Sequence, residues 1–272
     1  MTTMKAYRHQ LFNESGYVIE FPNVADTPEL LQTLPPNPYA ESVTQLFPLG
    51  TKLTQGERVW RYTKNSASGL ATIGTPLQNA ARVHAEMDDD IVVGAASAIG
   101  ATTVTLTSTA NLAAAPLSTK DGIKEGYLYV NDEAGQGQCY KIKGHAALSG
   151  TADSVFTLYD PLTVALTTSS EVGLAQNPYA NVIATAAVLT GMCVGVNPIA
   201  VTASYYFWAQ TGGPAAVVPQ AAIALGTTVV VGTTAAKADP AAAVTTEVII
   251  GWPMTPGVAD TEQFLCFLTL DR

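Results

Sequence analysis

The side chains best equipped for chemistry are three histidines, His9, His84 and His145, and three cysteines, Cys139, Cys193 and Cys266. Nucleophilic catalysis needs a base within reach of a Ser, Thr or Cys, and a third group to orient that base. None of the histidines falls in a nucleophile motif, and no Gly-x-Ser-x-Gly elbow occurs. His84, beside an expected helix, and His145, in a Gly-Ala segment, are expected at the surface. The cysteines lie too far apart for a metal knuckle or a disulfide framework, and read as buried thiols of a reducing compartment.

The carboxylates carry no stronger signal. Asp132, Glu133, Asp153 and Asp160 sit in turn-like contexts, where acids are common. A pair for glycoside hydrolysis stays open, because such partners converge only in space. Asp88-Asp89-Asp90 lacks the alternating spacing, Gly turn and distal Glu of a calcium loop, and reads as a solvated turn. Gly135-x-Gly137 lacks the Lys-Ser/Thr and the strand-to-helix setting of a phosphate loop. Trp60, Trp208 and Trp252 are few for a carbohydrate platform, and two of them lie in apolar strands. The expectation is a non-enzymatic chain without catalytic, cofactor-binding or metal-binding residues.

The elements around these residues read as mainly β: short-stranded sandwich or barrel domains, an extended N-terminal arm and at most one short helix. Arg58-Val59-Trp60-Arg61-Tyr62 alternates as a half-buried strand should. Further strands are expected at 103–107, 126–130, 139–143, 154–159, 162–166, 171–174, 215–218, 227–231, 244–250 and 263–270. The last is densely apolar and is expected in the middle of a sheet. Residues 131–138 read as a wide hairpin loop and Thr211-Gly212-Gly213-Pro214 as a tight turn. The one expected helix is 76–87, with Pro76 tolerated at its start. Asn-Pro-Tyr-Ala, at 37–40 and again at 177–180, reads as a reused turn.

Residues 1–47 combine Pro22, Pro28, Pro35, Pro36 and Pro38 with anchors such as Tyr7, Phe12, Tyr17 and Phe47. That mixture suits an arm ordered by lying on a surface, either a neighbour's or its own domain's. The expected division is an arm at 1–47, a main β domain from 48–98 and 178–272, and an inserted β domain at 99–177.

Only 13% of residues are charged, and mean hydropathy is +0.20. The net charge of −9, with scattered Lys and Arg, argues against a nucleic-acid partner. Residues 172–236 contain no Asp, Glu, Lys, Arg or His, and hold the aromatic block Tyr205-Tyr206-Phe207-Trp208. So long an uncharged stretch is expected to be covered, by its own fold, by copies of itself or by another protein. Lys5, Arg8 and His9 are followed by no apolar core, so no secretory signal is expected. The best membrane candidate, 182–196, is short and broken by Gly191 and Gly195, so no span is expected.

Three stretches, 56–74, 205–215 and 226–270, resemble virion proteins of tailed bacteriophages, in particular head-decoration or capsid-cement proteins. They are a strand running into a small-residue turn, the block Tyr-Tyr-Phe-Trp-Ala-Gln-Thr-Gly-Gly-Pro-Ala, and strand–turn–strand units with Val248-Ile249-Ile250-Gly251. The resemblance covers under half of the chain. It implies a β-rich subunit, expected as a homotrimer, that binds the major capsid protein of the same particle. It also implies location on the virion surface after assembly in the host cytoplasm. Self-contact would fall within 172–236 and shell contact on the arm. A tail, baseplate or fibre component is the alternative reading, and a cell-surface adhesin or carbohydrate-binding module the alternative of another class.

Overall fold

Runs of β-branched and aromatic residues between Gly, Pro and Asp turns become strands, and the fold is mainly β. The computed structural model describes residues 10–12, 17–20, 36–242, 247–258 and 262–271. Most of the expected arm, His9 included, lies outside them. In chain order the first elements are β1 (Gln10–Phe12), β2 (Tyr17–Glu20), β3 (Lys52–Gln55), β4 (Arg58–Lys64), β5 (Pro76–Gln78) and the helical turn α1 (Glu86–Asp89). Next come β6 (Ile91–Ala95), β7 (Thr103–Leu106), β8 (Tyr127–Asp132), β9 (Cys139–His145), β10 (Ser154–Leu158) and β11 (Glu171–Ala175). The chain closes with β12 (Ile183–Ala184), β13 (Cys193–Val196), β14 (Tyr206–Val217), β15 (Val229–Val231), β16 (Ala238–Pro240), β17 (Ile249–Pro253) and β18 (Phe264–Thr269).

The chain divides into two units, one of Met1–Ala80 with Pro178–Arg272 and one of Ala81–Asn177. The expected boundary at 98/99 is displaced because β6 pairs with β7 and β11, which draws residues 81–98 into the second unit. The boundary after Phe47 also moves. Phe47 is buried with Trp60, Tyr62 and Trp208, so the residues leading into β3 belong to a core. The described strands of the arm, β1 and β2, form an antiparallel pair added to the edge of β3.

In the first unit a twelve-stranded sheet follows the path β1-β2-β3-β4-β14-β18-β17-β15-β16, with β13 also joining β14, and β5 and β12 beyond it. Its axis is β14. Trp208 points into a cluster with Phe47, Trp60 and Tyr62, while Phe207 and Ala209 point into one with Leu77, Val182 and Val194. Successive side chains face opposite sides of a strand, so covering both sides demands apolar residues at every position. That accounts for the lack of charge in the aromatic block. The rings of Phe47, Tyr62 and Trp208 meet edge to face at 5.0–5.1 Å, each pair worth about 0.5–1.5 kcal/mol beyond area burial.

Two local expectations fail here for one reason, the availability of partners. Gly212 and Gly213 do not turn the chain; β14 runs through them, paired to β4 up to Gly212 and to β18 from Gly212 onward. The extra residue between Gln210 and Gly212 makes a bulge, which is where strands admit glycine and proline. Residues 76–78 likewise leave the expected helix, because β12 and β13 offer them a ladder. Only Glu86–Asp89 remains helical. The expected strand at 162–166 is reduced to a single bridge between Leu166 and Ser97.

The second unit is a closed antiparallel barrel, β10-β7-β6-β11-β8-β9. Its interior is packed with Ile91, Val93, Val104, Leu106, Leu128 and Phe156 among others. Closure leaves its strands without a free edge. Among the described residues of either unit, no helix is long and apolar enough to cross a membrane.

Candidate functional surfaces

The reactive side chains are scattered. His145 ends β9 and is buried, contrary to its expected place at the surface, because it faces the barrel interior beside Phe156. Its Nδ1–H donates to the Ala146 carbonyl at 2.7 Å, and its Nε2 accepts the Ile123 amide at 3.0 Å. Burial lowers its pKa, partly offset by the Ala146 bond and the charge of Asp121. His84 is exposed and accepts the Glu86 amide through Nδ1.

Cys266 is buried, Cys193 half-buried and Cys139 exposed, so Cys139 departs from the expectation of a buried thiol. It is the first residue of β9, where the strand leaves the polar hairpin loop. Burial pushes the Cys193 thiol up to about 11 and that of Cys266 up to about 12, which keeps both protonated. Asp132 accepts the Glu133 amide and caps its own turn, and Asp153 and Asp160 are exposed. In the acidic run, Asp88 pairs with Arg82, and its carbonyl accepts the Tyr129 hydroxyl. Among the described residues, no three His, Cys, Asp or Glu side chains are grouped to hold a metal ion.

Two surfaces have more structure than any of these. The first is a wall of the barrel. Ile91, Val93, Val104, Leu106, Phe156 and Leu158 point inward from β6, β7 and β10, so the residues between them point outward. Those outward residues include Val92, Thr103, Thr105, Val155 and Thr157, and all three strands lack a charged residue. Val155 stands opposite Thr105, and Thr157 opposite Thr103. Val155 is 46% exposed, and Ile99, in the link between β6 and β7, is 68% exposed. Charge borders this wall: Glu171 on the flanking β11 stands opposite Val92, the Asp153 carboxylate lies where a side chain on Gly94 would stand, and β9, on the other flank, carries Lys141 and Lys143.

The second surface lies on the sheet of the first unit. Along β18 the buried residues are Phe264, Cys266 and Leu268, which leaves Leu265, Phe267 and Thr269 on the opposite face. Phe267 is paired across to Trp252 on β17 and to Pro214 on β14. Both rings are open to solvent, Trp252 by 49% and Phe267 by 38%. With Lys52, Thr54, Glu57 and Asp271 they line a groove of about 550 Å³. Gly213 also lines it. At one end Arg61 Nε donates to Asp271 Oδ2 at 2.5 Å, and another guanidinium nitrogen donates to the Gly50 carbonyl at 3.0 Å.

Residue-level reading of the sequence missed this groove because Trp252 and Phe267 resemble any other ring in an apolar strand. The available signal was that β18 is apolar at both parities, so one of its faces had to be covered by something or be left open. The chain matches no protein-family model, no curated protein and no solved structure.

Proposed function

We propose that this protein is a non-enzymatic structural subunit of a tailed-phage particle, binding the capsid surface as an oligomeric decoration or cement protein. The observation that carries the reading is the outer wall of β6, β7 and β10, whose strands hold no charged residue of their own and where Val92, Val155 and the threonines face solvent between Glu171 and Asp153. A soluble acidic chain gains little from such a wall unless protein covers it. Three short strands cover only part of a stable interface, which buries about 1,200–2,000 Å² in total. Repetition across many copies on one shell supplies the remaining affinity as avidity. In this reading the wall contacts a second copy, as in a homotrimer, or the major capsid protein.

The test is particle binding and solution mass after Val155→Lys, a charge placed on the exposed wall. Loss of self-association or of particle binding, with an unchanged thermal melt, is expected. A variant that assembles and binds like the parent overturns the assignment of the wall. Cryo-EM of particles carrying the labelled protein separates shell from tail, and density confined to the tail excludes the decoration role.

A further inference from the structure

We propose that the groove over Trp252 and Phe267 is a binding site for a neutral, hexose-based oligosaccharide, separate from any role of the barrel wall. Trp252 is the one tryptophan offered to solvent; Trp60 is 0% and Trp208 2% exposed. A pyranose has one face rich in C–H groups and an edge rich in hydroxyls. It therefore needs a flat apolar ring beside polar side chains of both kinds. Trp252 and Phe267 supply adjacent rings, and Lys52, Thr54 and Glu57 line the same groove with donors and acceptors. A volume of about 550 Å³ lies within the range of small-ligand sites, about 300–1,000 Å³.

Other occupants fit less well. A phosphate or nucleic acid needs several converging cations, but among the described residues Lys52 alone of the cations lines the groove, Arg61 is held by Asp271 and the Gly50 carbonyl, and Glu57 and Asp271 add negative charge. An extended peptide binds by adding to an open strand edge. The strands beneath the groove, β4, β14 and β18, each have partners on both edges. A second copy related by a two-fold axis would need a surface complementary to itself, and a concave groove laid on its twin stays unfilled.

The experiment is binding of the intact protein to a printed array of neutral and acidic oligosaccharides, with hits titrated by intrinsic fluorescence. Because Trp60 and Trp208 are buried, quenching by acrylamide reports mainly on Trp252. A neutral glycan is expected to shield it. Trp252→Ala should bind that glycan about tenfold more weakly or worse, while Trp252→Tyr keeps most of the affinity. Lys52→Ala, outside the core clusters, should also weaken binding, and it keeps the test decisive if Trp252→Ala does not fold. The proposal is overturned by an array without neutral hits, or by affinity unchanged in the variants. It is equally overturned if Trp252 becomes shielded only as protein concentration rises, with a matching dimer in sedimentation.

Discussion

The imidazole of His145 lies against the ring of Phe156, with centroids 4.9 Å apart and planes 8° from parallel. Both ring nitrogens are engaged, one as donor to Ala146 and one as acceptor from Ile123, which is the pattern of a neutral imidazole.

Acid should therefore weaken the barrel. Burial depresses the His145 pKa in the folded state below the ordinary value of about 6.5. A group depressed on folding contributes stability that is present above the unfolded pKa and lost as pH falls from there through the folded value. Urea midpoints measured from pH 8 to 5 should decline below about pH 6.5, and His145→Gln should flatten part of that slope. The substitution itself should cost about 1–3 kcal/mol, because the ring stacked on Phe156 and the Nδ1–H bond to the Ala146 carbonyl are lost. An NMR titration placing His145 at or above 6.5 would contradict this account.

Gly213 should tolerate no side chain. Its φ of +74° lies in the left-handed region, and an added Cβ would collide with the Glu57 carbonyl oxygen. Gly56, at φ +59° with open space around it, isolates the backbone part of the effect. Gly213→Ala is expected to cost at least about 2 kcal/mol, and Gly56→Ala about 1 kcal/mol. Equal melting temperatures for the two variants would show that β14 does not pass so close to β4.

The three thiols should separate by accessibility. A thiol reagent at pH 8 is expected to modify Cys139 in the native protein, and Cys193 and Cys266 only after unfolding. Rapid native labelling of Cys266 would be incompatible with its place between β14 and β17.

Much of the local structure can be read from the order of residues. The run Arg58-Val59-Trp60-Arg61-Tyr62 becomes the expected strand, β4, between β3 and β14, but it is not half-buried: Val59, Trp60, Tyr62 and Thr63 are enclosed on both of its faces. The apolar run at 263–270 becomes β18, with β14 and β17 on its two edges. The uncharged composition of 172–236 announces the burial of residues such as Phe207 and Val217, though Val188, Met192 and Leu225 are exposed. It does not announce that β11 serves the barrel while β14 serves the large sheet.

What stayed hidden depends on contacts between residues far apart in the chain. Gly-Gly-Pro is turn chemistry when alone, and becomes continuous strand when β18 pairs with all three residues, next to a bulge at Thr211 on the β4 side. His145 in a Gly-Ala context carries no mark of burial, since its cover comes from Ile123 and Phe156. Trp208 and Trp252 are chemically the same ring in similar apolar strands, yet one is enclosed and the other faces solvent. By itself the sequence determined that the chain forms β structure, because pleat periodicity acts residue by residue; its charge-free segment is enclosed at Phe207, Trp208 and Val217 but open at Val188, Met192 and Leu225. Only the tertiary structure decided which strands meet, and so which rings are sealed in a core and which are left to meet a partner.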